Sequence, residues 1–182
     1  MKEKHLLFII ILLLILLIFV SRKEGLDTNI DEEINVPVIK NELISRIQLN
    51  CLVLSGDAWI NLGDITLRDR NGNQINYGNT NNVYFGNKSN WPGWPVQHLW
   101  DNDKYSGAHS SPDRPVENLI ITLNPVALGS VQISNRQDCC WHRIGNYELA
   151  IYNDKNEKIG YTKLDKLASQ GKTIRYNMTY PQ

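Results

Sequence analysis

Asn135-Arg136-Gln137-Asp138-Cys139-Cys140-Trp141-His142-Arg143 places two guanidinium groups, a carboxylate and two adjacent thiols within nine residues. Arg136 and Arg143 offer forked N–H donors, and Asp138 can hold one fork in place, a set suited to vicinal hydroxyls and a ring oxygen. The plainer reading is a salt bridge at a sheet end, which contributes little to stability. The second arginine favours a ligand. Cys139 and Cys140 cannot form an ordinary disulfide, because consecutive Cα atoms lie about 3.8 Å apart, below the usual minimum of about 4.4 Å. A bridge between them would be a strained small ring, and on a loop it would offer a stiff apolar shelf for one face of a sugar. Two free thiols, or one thiol joined to Cys51, fit the sequence equally well. Zinc is disfavoured, since no second spaced pair accompanies Cys-Cys, although His142 is near.

Other chemistry lies upstream. His109 sits in Ser106-Gly107-Ala108-His109-Ser110-Ser111-Pro112, a stretch that no packing pattern claims, where a lone histidine is usually just solvated. Asp101-Asn102-Asp103 brings together oxygen ligands of the kind calcium takes, without the EF-hand pattern, and Asx turns explain it as well. Trp91, Trp94, Trp100 and Trp141 can stack on pyranose rings or fill a core. Trp94, wedged between Gly93 and Pro95, is hard to place in a strand. A glycosidase needs two carboxylates across a cleft. Asp138 stands alone in its motif, and Glu117 and Glu148 fall in or beside strand patterns, so the protein reads as a non-enzyme.

The elements that must position these groups are strands. Val131 and Ile133 alternate with Gln132 and Ser134, so 130–136 reads as a half-buried strand whose end opens into the cysteine loop. Alternation also predicts strands around Ile47-Leu49-Cys51-Val53 and Ile60-Leu62-Ile65-Leu67, closed by a turn at Asp69-Arg70-Asn71-Gly72. Further strands fall at 119–123, 147–152, 158–162 and 173–179, with a hairpin loop at 153–157 and a short helical turn at 164–169. Residues 73–115 read as a long loop, of a length that suggests function. Seven strands without helical periodicity predict an all-β, two-sheet sandwich. No internal repeat is visible.

The chain has 182 residues with 19 basic and 19 acidic side chains. It lacks the basic field that nucleic acid needs, so nucleic acid is excluded as a partner. Residues 6–20 are fifteen consecutive apolar residues between basic flanks. They would span about 22 Å as a helix, short of a hydrocarbon core of about 30 Å, so snorkelling flanks or thinning must help. A signal peptide is the rival, but Phe19-Val20-Ser21-Arg22 lacks small-x-small cleavage chemistry. Residues 1–22 are therefore expected to be a single-pass transmembrane anchor, residues 23–44 a polar stalk broken by Pro37, and residues 45–182 the β domain. Asn87 and Asn177 are glycosylation acceptors should the domain enter a secretory lumen.

The spacing of His109, 26 residues, Arg136-x-Asp138, four residues and Arg143 resembles the signature of F-type lectins, or fucolectins. Asn-Arg-x-Asp-Cys-Cys-x-x-Arg is similar to that family's central strand and loop. The likeness is densest over 100–151 and extends weakly over 47–179, where the wider galactose-binding-like, discoidin-like group has its jelly roll. The resemblance implies a fucose-binding lectin in which His109, Arg136 and Arg143 donate hydrogen bonds to the sugar and Asp138 orients the arginines. It also implies a vicinal disulfide between Cys139 and Cys140 that packs on the sugar, and a structural calcium near Asp101, Asp103 and Ser106. The chain departs from the family in its short loop from Asp101 to His109 and in lacking a late Cys-Glu pair. The expected function is a membrane-anchored carbohydrate-binding protein reading fucosylated glycans, on an extracellular, lumenal or virion surface. Avidity would come from many anchored copies, homo-oligomers included. The alternative is a structural or adhesive discoidin-like membrane protein, of a viral envelope or cell surface, that contacts protein or lipid.

Overall fold

A computed structural model describes residues 30–53, 59–78, 82–86, 90–101, 103, 105–111 and 118–181. Strands follow one another as β1 (Glu32–Pro37), β2 (Ile44–Cys51), β3 (Asn61–Leu62), β4 (Asp64–Asp69), β5 (Val83–Phe85), β6 (Ala108–His109), β7 (Asn118–Val126), β8 (Leu128–Ser134), β9 (Tyr147–Asn153), β10 (Lys158–Lys163) and β11 (Thr173–Thr179). Helical turns among the described residues are three short 3-10 pieces, at Val96–Trp100, Trp141–Asn146 and Asp165–Leu167. The fold is all-β.

One sheet has the order β1-β11-β8-β4, a second β10-β9-β2-β7-β5, and β3 pairs with β6 as a separate ribbon. Each strand with a clear alternation turns its apolar set inward. Ile47 and Leu49 of β2, Leu119 and Ile121 of β7, and Leu149 and Ile151 of β9 meet Ile65 and Leu67 of β4, Val131 and Ile133 of β8, and Ile174 and Tyr176 of β11 in one buried cluster. Each such side chain contributes roughly 1.5–3 kcal/mol by leaving water. β8 is flanked by β11 and β4, and on its other face Ser130, Gln132 and Ser134 are also buried.

Two expectations need correction. Residues assigned to a stalk instead form β1, which runs parallel to β11 with Glu32 opposite Ile174 and Pro37 opposite Thr179. Val36 and Val38 enter the core, so the domain begins well before residue 45. Pro37 is tolerated because it ends an edge strand, where a missing N–H breaks no ladder. The second correction concerns the strand near residue 60. It is split at Gly63 into β3 and β4, while the turn at Asp69-Arg70-Asn71-Gly72 returns the chain antiparallel along β4, with the Asp69 N–H donating to Asn73 O at 2.9 Å and the Ile75 N–H to Leu67 O at 2.8 Å.

The apolar run 6–20 lies outside the described residues, and within them no helix is long and apolar enough to cross a membrane. Asn87 also falls outside. Asn177 lies within β11 and donates its amide to Glu33, rather than on an open loop.

Candidate functional site

β8 carries the motif to one end of the two sheets. Ser134 pairs with Asp64 on one side and Thr173 on the other, and its carbonyl accepts the Gly63 N–H at 3.0 Å. The strand stops there because Asn135 turns its amide inward. The fully buried Asn135 donates to the carbonyls of Trp141 at 2.8 Å, Leu167 at 2.8 Å and Ser169 at 3.2 Å, and its own carbonyl oxygen accepts the Arg136 N–H. One side chain thus fastens the cysteine loop to the segment before β11.

Arg136 is held on two edges and one face. Its Nε and Nη2 donate to the two Asp138 oxygens at 2.7 and 2.5 Å, while Nη1 donates to Asn61 Oδ1 at 3.3 Å. The guanidinium carbon lies 4.1 Å from the centre of the Trp94 ring. This leaves one N–H on each terminal nitrogen without a partner among the described residues. The Arg136 side chain is 6 % exposed and that of Asp138 55 %, so the pair presents its carboxylate to water and only a narrow edge of the cation. The Arg136 hydrogen bonds hold the Asp138 carboxyl below the usual carboxylate range.

His109 reaches the same end by way of the ribbon. It pairs with Asn61, and the Trp91–Trp94 turn clasps it from the other side, His109 donating its N–H to Trp94 O at 3.1 Å and accepting from Trp91 N at 2.9 Å. Gly93, at φ +81°, allows that turn. Gly107 is equally constrained, since a Cβ there would stand 2.8 Å from Leu62 O and 3.0 Å from the Trp94 ring. The imidazole is buried between Trp91, 5.2 Å away, and Trp59, 6.4 Å away, so it is not the solvated loop side chain that its surroundings in sequence suggest. Burial lowers its pKa; the bond to Ser110 O opposes this, and the nearby charges of Arg136 and Arg143 lower it further. Nδ1–H donates to Ser110 O at 2.5 Å, so in the neutral ring Nε2 is an acceptor.

Arg143 leaves the Trp141–Asn146 turn half-buried, with its guanidinium carbon 4.9 Å from the centre of the Trp59 ring. Trp59 thus bridges His109 and Arg143, and Asn61 bridges His109 and Arg136. The three basic groups named from the sequence converge through two residues that it did not single out. Alternation of Ile60 and Leu62 places Asn61 on the opposite face of a predicted strand, but nothing in the sequence pairs it or Trp59 with the basic groups. Asn61 Nδ2, Ser110 Oγ and Trp59 Nε1 are buried without a hydrogen-bond partner among the described residues. Each such group costs about 1–3 kcal/mol until water or a ligand satisfies it.

Cys139 and Cys140 lie on the loop beyond Asp138 with sulfur atoms 2.7 Å apart, and both are thiols in this structure. Contact with Cys140 raises the Cys139 pKa. Cys140 has φ +61°, the left-handed region that non-glycine residues rarely enter. Cys51 is not joined to either of them, and its thiol donates to Val53 O at 3.1 Å.

Asp101, Asp103 and Ser106 form a closed turn of their own. Asp101 accepts the Asp103 N–H at 2.9 Å and the Ser106 hydroxyl at 2.7 Å, and Asp103 accepts the Tyr105 N–H at 2.9 Å. Among the described residues no three acidic, histidine or cysteine side chains are grouped closely enough to hold a metal ion. Asp64 lies near enough to feel both aspartates; burial is the main reason its pKa is pushed up to about 6. Of the remaining tryptophans, Trp100 packs edge-on to Tyr77 against the core, while Trp91 and Trp141 stay 40 % and 37 % exposed at the site end. No protein-family model matches the chain, and neither a curated protein nor a solved structure matches it.

Proposed function

We propose that the protein is a membrane-anchored carbohydrate-binding protein whose site, formed by His109, Arg136 and Arg143 with Asn61 and Trp59, takes a terminal fucose-like sugar. The observation that carries this reading is the locked fork of Arg136. Asp138 and Asn61 fix its plane, Trp94 backs it, and one N–H on each terminal nitrogen is left over to donate to a sugar hydroxyl. His109 Nε2 supplies an acceptor for a sugar hydroxyl, and the unpartnered Asn61 amide supplies a further donor. Donors, an acceptor and aromatic walls in one place suit a polyol with one apolar face, and they offer nothing to a reaction that needs two carboxylates. The resemblance to F-type lectins supplies the fucose preference, the jelly-roll connectivity and the oxidised Cys139–Cys140 pair as parts of the same proposal. Calcium enters only as a structural ion of the Asp101–Ser106 loop.

The test is a glycan array on the full chain in detergent, with Arg136→Ala beside it. Retention of fucosylated glycans by the native chain and loss of at least about tenfold in the variant is expected, since a charge-assisted hydrogen bond is worth about 1.5–3 kcal/mol. Undiminished binding by Arg136→Ala refutes the site. The adhesive alternative draws on the exposure of Trp91 and Trp141. It predicts binding that survives Arg136→Ala and falls when both tryptophans become serine.

A further inference from the structure

β1 determines where the anchor segment joins the domain. Its first residues lie at the site end: Asp31 donates its N–H to Thr173 O at 2.9 Å and accepts the Thr173 N–H at 2.8 Å. Glu32 is clamped there by Lys166 at 2.6 Å and Lys172 at 3.0 Å. Thr173 in turn faces Ser134, hydroxyl to hydroxyl at 3.0 Å, and the next two residues of that strand, Asn135 and Arg136, open the site loop. Two strand spacings, about 10 Å, separate the start of β1 from the base of the site. β2 begins at the opposite end, where Ile44 faces Val126 and Asn153. Without β1, the chain would leave the domain far from the site. With it, the chain leaves beside the site.

Residues 21–29 separate the apolar run 6–20 from Ile30, and nine residues span at most about 30 Å. Whatever the domain's tilt, the site then stays within about 40 Å of the membrane that holds its own anchor, the tether plus the lateral offset. We infer that the site reads its sugar in cis: β1 directs it to the headgroup of a glycolipid in the same membrane, not to a sugar on an opposing surface. This inference rests on the anchored-lectin reading and goes beyond it by assigning the ligand's location.

The full chain is reconstituted in phosphatidylcholine vesicles with a fucosylated glycolipid placed either in the same bilayer or in separate vesicles. A companion variant carries about twenty Gly/Ser residues inserted between Lys23 and Glu24, adding a coil of roughly 25 Å. Cis glycolipid should reduce capture of a soluble fucosylated probe at least about tenfold, through its high effective concentration. Vesicle bridging, read by light scattering, should be weak for the native chain and rise at least about tenfold in the lengthened one. Native bridging equal to that of the lengthened variant, or probe capture unaffected by cis glycolipid, overturns the inference. The detergent-solubilised chain on a fucose matrix separates the two failures: retention there with no cis preference sinks the inference alone, whereas no retention sinks the sugar site and the inference with it.

Discussion

Replacing Asp138 with asparagine isolates the carboxylate that holds the Arg136 fork. Asparagine keeps one acceptor and turns an amide N–H toward the other guanidinium nitrogen, so one bond keeps its charged donor and the second is lost. With charge-assisted bonds at about 1.5–3 kcal/mol, the gross loss from the second bond is about 1.5–3 kcal/mol. The Asp138 side chain is 55 % exposed, so water recovers part of this and the net loss is about 1–2 kcal/mol. At a urea slope of about 1–3 kcal/mol per molar, the unfolding midpoint falls by about 1 M, read from the fluorescence of Trp94 and its neighbours. The pH dependence separates charge from packing. The Asp138 pKa is lowered in the folded chain, so its stabilisation is complete above the unfolded value of about 3.9 and disappears as pH falls through the folded value. Native and variant midpoints should therefore differ at pH 7 and converge as pH falls below about 3.9 and through the lowered folded value. A gap that persists in acid, or no gap at neutral pH, refutes the idea that this carboxylate locks the fork.

Mass spectrometry of active chain should find Cys139 bonded to Cys140 and Cys51 free, with reductant weakening sugar binding; two free thiols in active protein contradict the shelf. His109 has a lowered pKa, so between that value and about 6.5 the folded chain binds fewer protons than the unfolded chain. Stability and sugar binding should rise with pH through that window and level off above it, and His109→Gln, which keeps an acceptor, should bind better than His109→Ala. Asp64 has its pKa raised to about 6. Its charge therefore destabilises the fold above that pH, and Asp64→Asn should gain about 2–3 kcal/mol near pH 7, an advantage that shrinks to nothing below about pH 4. Millimolar calcium should raise the melting temperature of the native chain and chelation should lower it; an unmoved melting temperature removes the structural ion from the proposal.

The parts of the fold that were legible in the sequence are those where one face is wet. β7 and β11 alternate apolar and polar side chains, β9 and β10 are bounded by turn residues, and the predicted strands at all four fall within a few residues of the observed ones. β1 also alternates, through Ile34, Val36 and Val38, but its acidic neighbours and Pro37 suggested a solvated stalk. Those same acids are its fasteners, with Glu32 on Lys166 and Lys172 and Glu33 on Arg175. Local composition cannot show that partners some 140 residues away neutralise a charge run. β5 and β6 are two or three residues long and carry no period, and the alternation through Ile60 and Leu62 does not show that their neighbours Trp59 and Asn61 join the three basic groups.

The nine-residue motif carries so much information because of where β8 stops. Ser134 touches Gly63 and Asp64 on one side and Thr173 on the other, and Asn135 bonds three carbonyls of the surrounding loops. The ribbon with Asn61 and His109, the cysteine loop, and the strand that receives Asp31 all take their positions from those two residues. A change at Asn135 would release the loop from Trp141, Leu167 and Ser169 together, leaving several buried carbonyls unsatisfied at about 1–3 kcal/mol each. It would also free Arg136 from the frame that aims its fork. The residues on which the chemistry depends and the residues that fix the strand end are thus neighbours in the chain, so the resemblance in sequence and the convergence in space arise from the same short segment.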